Sequence, residues 1–139
     1  MKPTILVDVD GTLAIRGDRS PHDHDSSMED HVNWPIVSLC DLLHSTGKFQ
    51  VVIVSGREEI YRDITEYWFD THNILPYRQA LFMRLQGDNR PDDIVKKELY
   101  EKEIKPRYIV WYVLDDRNRV VKMWRELGLT CLQVAEGDF

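Results

Sequence analysis

The sequence predicts an α/β fold, an open parallel sheet with helices on both faces. Three observations carry that expectation. Short apolar, β-branched runs alternate along the chain with stretches whose apolar residues recur at helical spacing. The runs are continuously apolar, as strands covered on two faces must be. Each strong run also stops at a cluster of polar or charged residues, and in such sheets chemistry collects at the carboxyl ends of the strands.

Residues 4–9 read as the first strand, followed by a polar loop over residues 14–30 rich in Asp, Ser and His. A helix begins near Asn33-Trp34-Pro35, with proline tolerated in its first turn, and Gly47 closes it. Ile36, Leu39, Cys40 and Leu43 form its inward face. Gln50 to Val54 is the second strand, and the helix after it reaches Thr71 with Ile60, Ile64 and either Tyr67 or Trp68 turned inward. Residues 80–84 make a short strand, and Gly87 to Arg90 a turn. Pro91-Asp92-Asp93 opens a helix running to Ile104, its early acids complementing the helix dipole. Residues 108–114 form the third strong strand. A helix bearing Val120, Val121, Trp124 and Leu127 stops at Gly128, and residues 129–134 form the last strand. This order is Rossmann-like.

A chain of 139 residues suits one domain, large enough to bury roughly two-thirds of its unfolded surface. No apolar run approaches the roughly 20 residues of a membrane span, and no signal peptide precedes the first strand. Cys40 and Cys131 fit no metal spacing and read as buried thiols, which points to a reducing, cytoplasmic setting. The net charge of −6 argues against a sequence-independent duplex binder but leaves room for a phosphate-handling enzyme, where one magnesium ion and a few arginines set the local field. His22-Asp23-His24-Asp25 with His31 fits no structural zinc pattern and reads as a solvated loop.

The informative places are the strand ends. The first strand ends in Asp8-Val-Asp10-Gly11-Thr12, the second in Ser55-Gly56-Arg57 and the third in Asp115-Asp116, while Lys96 lies on the helix before the third. Brought to one sheet edge, they supply a carboxylate nucleophile, a second carboxylate, a hydroxyl with backbone amides, an ammonium and an acidic cradle for a metal. Phosphoryl transfer through an aspartyl-phosphate needs that inventory.

In these motifs the chain resembles the haloacid dehalogenase superfamily of phosphohydrolases, with a minimal cap. It is most similar to the 3′-phosphatase domain of bacteriophage polynucleotide kinase-phosphatases. The matching stretches are Asp8 to Leu13, Val54 to Glu58, Gly87 to Lys96, Asp115 to Arg117, Val121 to Arg125 and Gln133 to Phe139. They cover essentially the whole chain. The resemblance implies Mg²⁺ as cofactor and the 3′-phosphorylated ends of DNA or RNA as substrate. Asp8 is then the nucleophile, and Asp10 the acid that protonates the leaving oxygen and later the base that activates water. The metal falls to Asp8, the Asp10 backbone carbonyl and either Asp115 or Asp116.

By the same resemblance Ser55 and the following amide bind a phosphate oxygen, and Lys96 rather than Lys97 neutralises the phosphate. Thr12, Arg19, Gly56, Arg57 and Arg84 match substrate-binding positions. Asp30, Asp92 and Arg117 match positions that orient a lysine or an arginine. No Gly-x-x-x-x-Gly-Lys-Ser/Thr loop is present, so kinase activity is not expected. The chain reads as a stand-alone phosphatase, which its start at Met1 favours, or as a fragment of something longer. Relatives with both domains assemble, their kinase domain taking part, which leaves a homo-oligomer open.

Two other readings compete. A nucleotide or sugar-phosphate hydrolase of the same superfamily would be silent on oligonucleotide 3′ ends. A receiver-like signalling module would keep a stable phospho-aspartate, but it places its acceptor on a middle strand, whereas Asp8 ends the first. The residue 14–30 loop is too short for a cap domain, so an open site is expected. Trp34, just beyond it, is the aromatic best placed to meet a base.

Overall fold

The computed structural model describes all 139 residues. Five parallel strands form the main sheet: β1 (Pro3–Asp8), β4 (Gln50–Glu58), β5 (Leu81–Arg84), β6 (Ile109–Asp115) and β7 (Thr130–Gln133), in spatial order β5-β4-β1-β6-β7. The chain starts in the middle, builds outward to one side through β4 and β5, then returns to build the other through β6 and β7. That reversal puts the topological switch point beside β1, and the crevice beyond its carboxyl end is where such sheets bind ligands.

Four helices cover the sheet: α1 (Trp34–Ser45), α2 (Arg62–Thr71), α3 (Asp92–Leu99) and α4 (Asn118–Glu126). Successive β1 residues point to opposite faces, so its unbroken apolar run feeds two cores. Ile5 and Val7 pack with Val51, Ile53 and, from α1 and α2, Val37, Cys40, Trp68 and Phe69. Leu6 packs with Val52, Val54 and Val113 against Val120, Val121 and Trp124 of α4. The helix expected to end at Ile104 does so, its last turns Tyr100–Ile104 widening into a π-helix.

Three details differ from expectation. Ile60 does not turn inward. Glu59–Tyr61 is a 3₁₀ turn ahead of α2, so the helical period starts later, and Ile60 stands 59% exposed while Thr65, Trp68 and Phe69 face the core. The second strand does not stop at Val54 but runs four residues further. The residue 14–30 segment is partly ordered by secondary structure. Its neck is a two-stranded antiparallel ribbon, β2 (Ala14–Ile15) with β3 (His31–Val32), and a 3₁₀ helix spans His24–Glu29.

Cys40 and Cys131 are both buried and unpaired, and burial pushes each thiol up to about 12. The thiolate is the reactive form. Native protein at pH 8 should therefore leave a chromogenic disulfide reagent almost unreacted over minutes, and two thiols should titrate once it is unfolded in guanidinium.

Candidate functional site

Asp8 is the last residue of β1 and is buried. The chain turns sharply after it: the amides of Thr12, Leu13 and Ala14 all donate to the Val9 carbonyl. Gly11 adopts φ +82° in that turn, and a Cβ there would overlap the Asp116 carboxylate. The turn brings the Thr12 hydroxyl back to donate to Asp8 Oδ2 at 3.1 Å. On the other side Lys96 Nζ donates to Asp8 Oδ1 at 2.8 Å and to Asp115 Oδ2 at 3.1 Å, with Asp92 Oδ2 3.8 Å away. Lys96 is buried and Lys97 exposed, so one register of α3 delivers a single ammonium to the sheet edge.

The carboxylates Asp8, Asp115 and Asp116 all offer ligand oxygens within 4.8 Å of one another. Asp115, ending β6, is held on both oxygens. Oδ1 accepts from the Asp116 amide at 2.8 Å, and Oδ2 accepts from Lys96 and from Trp124 Nε1 at 3.1 Å. No lysine, arginine or hydroxyl donates to the Asp116 carboxylate, whose hydrogen-bonding neighbours are its own backbone amide and Asp8. Burial, then the neighbouring Asp115, pushes Asp116 up to about 6. Burial and the same neighbour raise Asp8 well above the usual carboxylate range, although Lys96 pulls the other way. Burial alone would lower the Lys96 ammonium, but Asp115, Asp8 and Asp92 hold it well above its ordinary value. One lysine thus faces more negative charge than it can neutralise. The deficit, together with hard oxygen donors, suits a divalent cation.

Asp10 points elsewhere, into a closed ring of two carboxylates and two guanidiniums. Arg57 forks onto Asp10 at 2.9 and 2.7 Å and reaches Asp30 Oδ2 at 3.2 Å. Arg19 forks onto Asp30 at 2.7 and 2.8 Å and touches Asp10 Oδ1 at 3.3 Å. Thr65 of α2 accepts from Arg57, and Trp68 Nε1 donates to the Asp30 carbonyl. The ring ties the 16–30 insertion to the catalytic turn and to α2. Its Asp10 carboxylate remains 41% exposed, whereas Asp30 and both arginines are buried. Burial pushes Asp10 up, but Arg57, His24 and Arg19 outweigh it and hold the carboxyl below its usual range.

Arg57 reaches this ring because β4 bulges. Ser55 pairs with Met83 and Glu58 with Arg84, so Gly56 and Arg57 are extra residues with no partners on β5. The bulge is clamped from behind. Arg84 Nε donates to the Gly56 carbonyl at 2.7 Å and its NH2 to Asp92 Oδ1 at 2.8 Å, and the Asp92 carboxylate lies against the bare Cα of Gly56. Ser55 Oγ accepts from the Arg57 amide at 3.1 Å, leaving its own proton free.

Asp8, Asp10, Thr12, Ser55, Lys96, Asp115 and Asp116 therefore gather at one sheet edge. Arg19, Arg57 and Arg84, expected as substrate ligands, are all engaged by protein acceptors: Asp10 and Asp30 hold Arg57, Asp30 holds Arg19, and Asp92 holds Arg84. Arg117 stands apart from this set. Its Nε donates to the Phe139 carbonyl at 2.9 Å and its guanidinium stacks 5.1 Å over the Phe139 ring. Trp34 is 57% exposed at the start of α1, beside Asn33, whose side chain donates to the Thr12 carbonyl. Trp124, read in sequence only as core, also holds Asp115, and nothing in its helical spacing distinguishes the two duties. His24 packs edge-on to Tyr61 at 5.2 Å and belongs to no cluster of metal-ligating groups.

A family model described as the polynucleotide kinase PNKP phosphatase domain matches residues 2–139. A protein of Autographa californica nuclear polyhedrosis virus, named for bifunctional polynucleotide kinase and RNA ligase activity, is 33% identical over 127 residues, covering 90% of this chain and 18% of that protein. A chain in the structure of the Pnkp1/Rnl/Hen1 RNA repair complex superposes with TM-score 0.92 at 39% identity, over 99% of this chain and 44% of its own length. A haloacid dehalogenase family enzyme from Bacteroides thetaiotaomicron, in complex with magnesium and inorganic phosphate, shares the fold at TM-score 0.55 and 14% identity. The chain spans under a fifth of the viral relative and under half of that repair-complex chain.

Two outcomes are expected. Asp30→Ala leaves two buried guanidiniums short of their counter-charge and should cost about 3–5 kcal/mol in urea unfolding. Asp116 and Asp8 are raised, so both tend to protonate as pH falls, and a cation must displace those protons. The rise in Tm on adding Mg²⁺, compared with chelator at each pH, should therefore grow from pH 5 to pH 7.5. A rise independent of pH would contradict the assignment.

Proposed function

This chain belongs to the family of polynucleotide kinase PNKP phosphatase domains and is a phosphatase of the haloacid dehalogenase type; from that footing we propose that it removes 3′-terminal phosphates from polynucleotides through a covalent aspartyl-phosphate. The observation that carries the chemistry is Asp8 at the switch point, buried between Lys96 and the Asp115-Asp116 pair.

In this reading a carboxylate oxygen of Asp8 attacks phosphorus and the bond to the ribose 3′ oxygen breaks. Asp10 gives its proton to that leaving oxygen. Water then attacks the acylphosphate, Asp10 takes its proton, and the phosphorus–Asp8 bond breaks to release phosphate. Lys96 spreads positive charge over Asp8 while the phosphoryl group is attached. The Ser55 hydroxyl proton and the Gly56 amide donate to phosphate oxygens.

Asp8, the Asp10 carbonyl and Asp116 would hold Mg²⁺, since Asp115 already accepts from Lys96, Trp124 and the Asp116 amide, whereas Asp116 accepts from no lysine, arginine or indole. When bound, the ion supplies charge neutralisation on the phosphate oxygens. Asp115 is then the residue that orients Lys96.

The ion-paired Asp10 is too acidic at rest to carry a proton. An arriving phosphate dianion competes for Arg57 and Arg19 and sets negative charge beside Asp10; burial, which pushes the carboxyl up, then prevails, and Asp10 takes from solvent the proton that it passes to the leaving oxygen. The insertion of residues 16–30 is too short to roof the crevice, which supports a polymer end as substrate. The product is a 3′-hydroxyl, the end that ligation consumes.

The test is phosphate release from a 3′-phosphorylated oligonucleotide against a 5′-phosphorylated control, with Mg²⁺ or chelator. Release from the 3′ end alone, dependent on metal and abolished in Asp8→Asn, is expected. Asp10→Asn should slow it by roughly 10²–10⁴-fold. Silence on both oligonucleotides with a nucleotide or sugar phosphate still cleaved would redirect the reading to small substrates. Asp8→Asn removes a charge that burial and Asp115 oppose, so in chelator it should unfold at a denaturant concentration no lower than wild type.

A further inference from the structure

Beyond β7 the chain does not leave the molecule but crosses back over the loop that carries the paired carboxylates. Ladder pairing between β6 and β7 ends with Asp115 opposite Gln133, and the Val134 amide still donates to the Asp115 carbonyl at 3.1 Å. Gln133 Nε2 then donates to the Asp116 carbonyl at 2.9 Å and to Asn118 Oδ1 at 2.6 Å. Two residues past Ala135 the backbone comes into direct contact: a Cβ on Gly137 would overlap the Asp116 carbonyl and press on Arg117 Cα.

The Gly137 carbonyl accepts from the Asn118 amide at 2.9 Å, and Arg117 closes the loop onto the Phe139 carbonyl and ring. Asn118 is the first residue of α4, and its N-cap, Arg117, offers no side-chain cap. The first turn of a helix leaves amides without intrahelical partners. Here one of them is satisfied by a distant segment instead of a local Ser, Thr or Asp.

We propose that residues 133–139 form a clasp that positions Asp116 for its cation, with Gly137 as the positioning residue. The proposal rests on the assignment of Asp116 as a metal ligand. No lysine, arginine or indole steers the Asp116 carboxylate, so the path of its backbone decides where it points. The tail holds that backbone through the Asp116 carbonyl and the Asn118 amide, on either side of Arg117. Asp115, by contrast, is locked through its side chain and needs no clasp. Val134 alone of this segment packs against a main core; Ala135, Glu136, Asp138 and Phe139 are exposed, and Gly137 is buried against the Asp116–Arg117 backbone.

Calorimetric titration of Mg²⁺ into chelator-stripped wild type, Gly137→Ala and Gln133→Ala, alongside denaturant unfolding of each, tests this. Gly137→Ala should weaken Mg²⁺ binding by roughly tenfold, the scale seen when partners that orient a metal ligand are lost. Its hydrolysis at saturating Mg²⁺ should stay close to wild type, so that the half-saturating metal concentration moves and kcat does not. Gln133→Ala removes an exposed side chain without leaving a void, and should shift binding the same way by a smaller factor. It keeps the test valid if Gly137→Ala misfolds. Glu136→Ala, in the same segment but at an exposed side chain that makes none of these contacts, should bind as wild type does.

Normal wild-type uptake with unchanged uptake in both clasp variants overturns the clasp alone. A wild type that takes up no Mg²⁺ removes the cation assignment and the clasp with it. Weakening by Glu136→Ala equal to that by Gly137→Ala would mean that the tail acts by general disorder and would also overturn the proposal.

Discussion

The burial of Lys96 between Asp8 and Asp115 is the constraint from which the rest of the structure follows. An unpaired ammonium in the interior would cost several kcal/mol, and so would either carboxylate alone. They can sit there only together, at 2.8 and 3.1 Å. That requirement sets the register of α3, the point at which β1 and β6 end, and the orientation of Trp124. It leaves a residue of negative charge at the crevice. The fold therefore stores an attraction for positive charge at the spot where the topology already opens a binding site.

Around this centre the chain uses its irregular backbone to aim side chains. The Gly11 turn makes room for Asp116, and the β4 bulge throws Arg57 across to Asp10. Neither feature serves the cores, which are built from the regular parts of the same strands. Arg84 and Asp92 lie behind the bulge and act on the site through the backbone, which separates them from Arg57 and Arg19 although all three arginines are substrate candidates by residue type. The two chemical duties of the site are also separated in space. Asp8, Asp115 and Asp116 form an over-acidic pocket, whereas Asp10 is over-neutralised by two guanidiniums.

Much of this was legible in the chain. The apolar runs at residues 4–9, 50–54 and 108–114 sit where strands form, because a strand covered on both faces cannot hide its pattern. Gathering Asp8, Ser55, Lys96 and Asp115-Asp116 followed from parallel topology alone, and choosing Lys96 over Lys97 needed the family resemblance, since both lie on one short helix. What could not be read was pairing. Nothing local to Arg19 or Asp30 announces that they meet Arg57 and Asp10. The bulge is equally silent, because Ser-Gly-Arg after a strand reads as an exit turn. Ile60 lies outside the inward face for a similar reason: a 3₁₀ turn shifts the start of a helix without changing the apolar spacing by which the helix is read. The contact of Gly137 with Asp116 joins positions whose only sequence trace is a glycine.

The ribbon at the neck of the insertion carries a different consequence. Ala14–Ile15 and His31–Val32 pin both ends of residues 16–30 side by side, and only Arg19 and Asp30 reach from it into the charged ring. Between them Met28 packs against the core, Ser27 is buried and His24 meets Tyr61, whereas residues 20–23 are exposed. Evolution, or an engineer, can lengthen, shorten or replace that span while the two anchors and the neck remain. A single catalytic platform can thereby be refitted for ends of different shape: the insertion is a socket with two prongs.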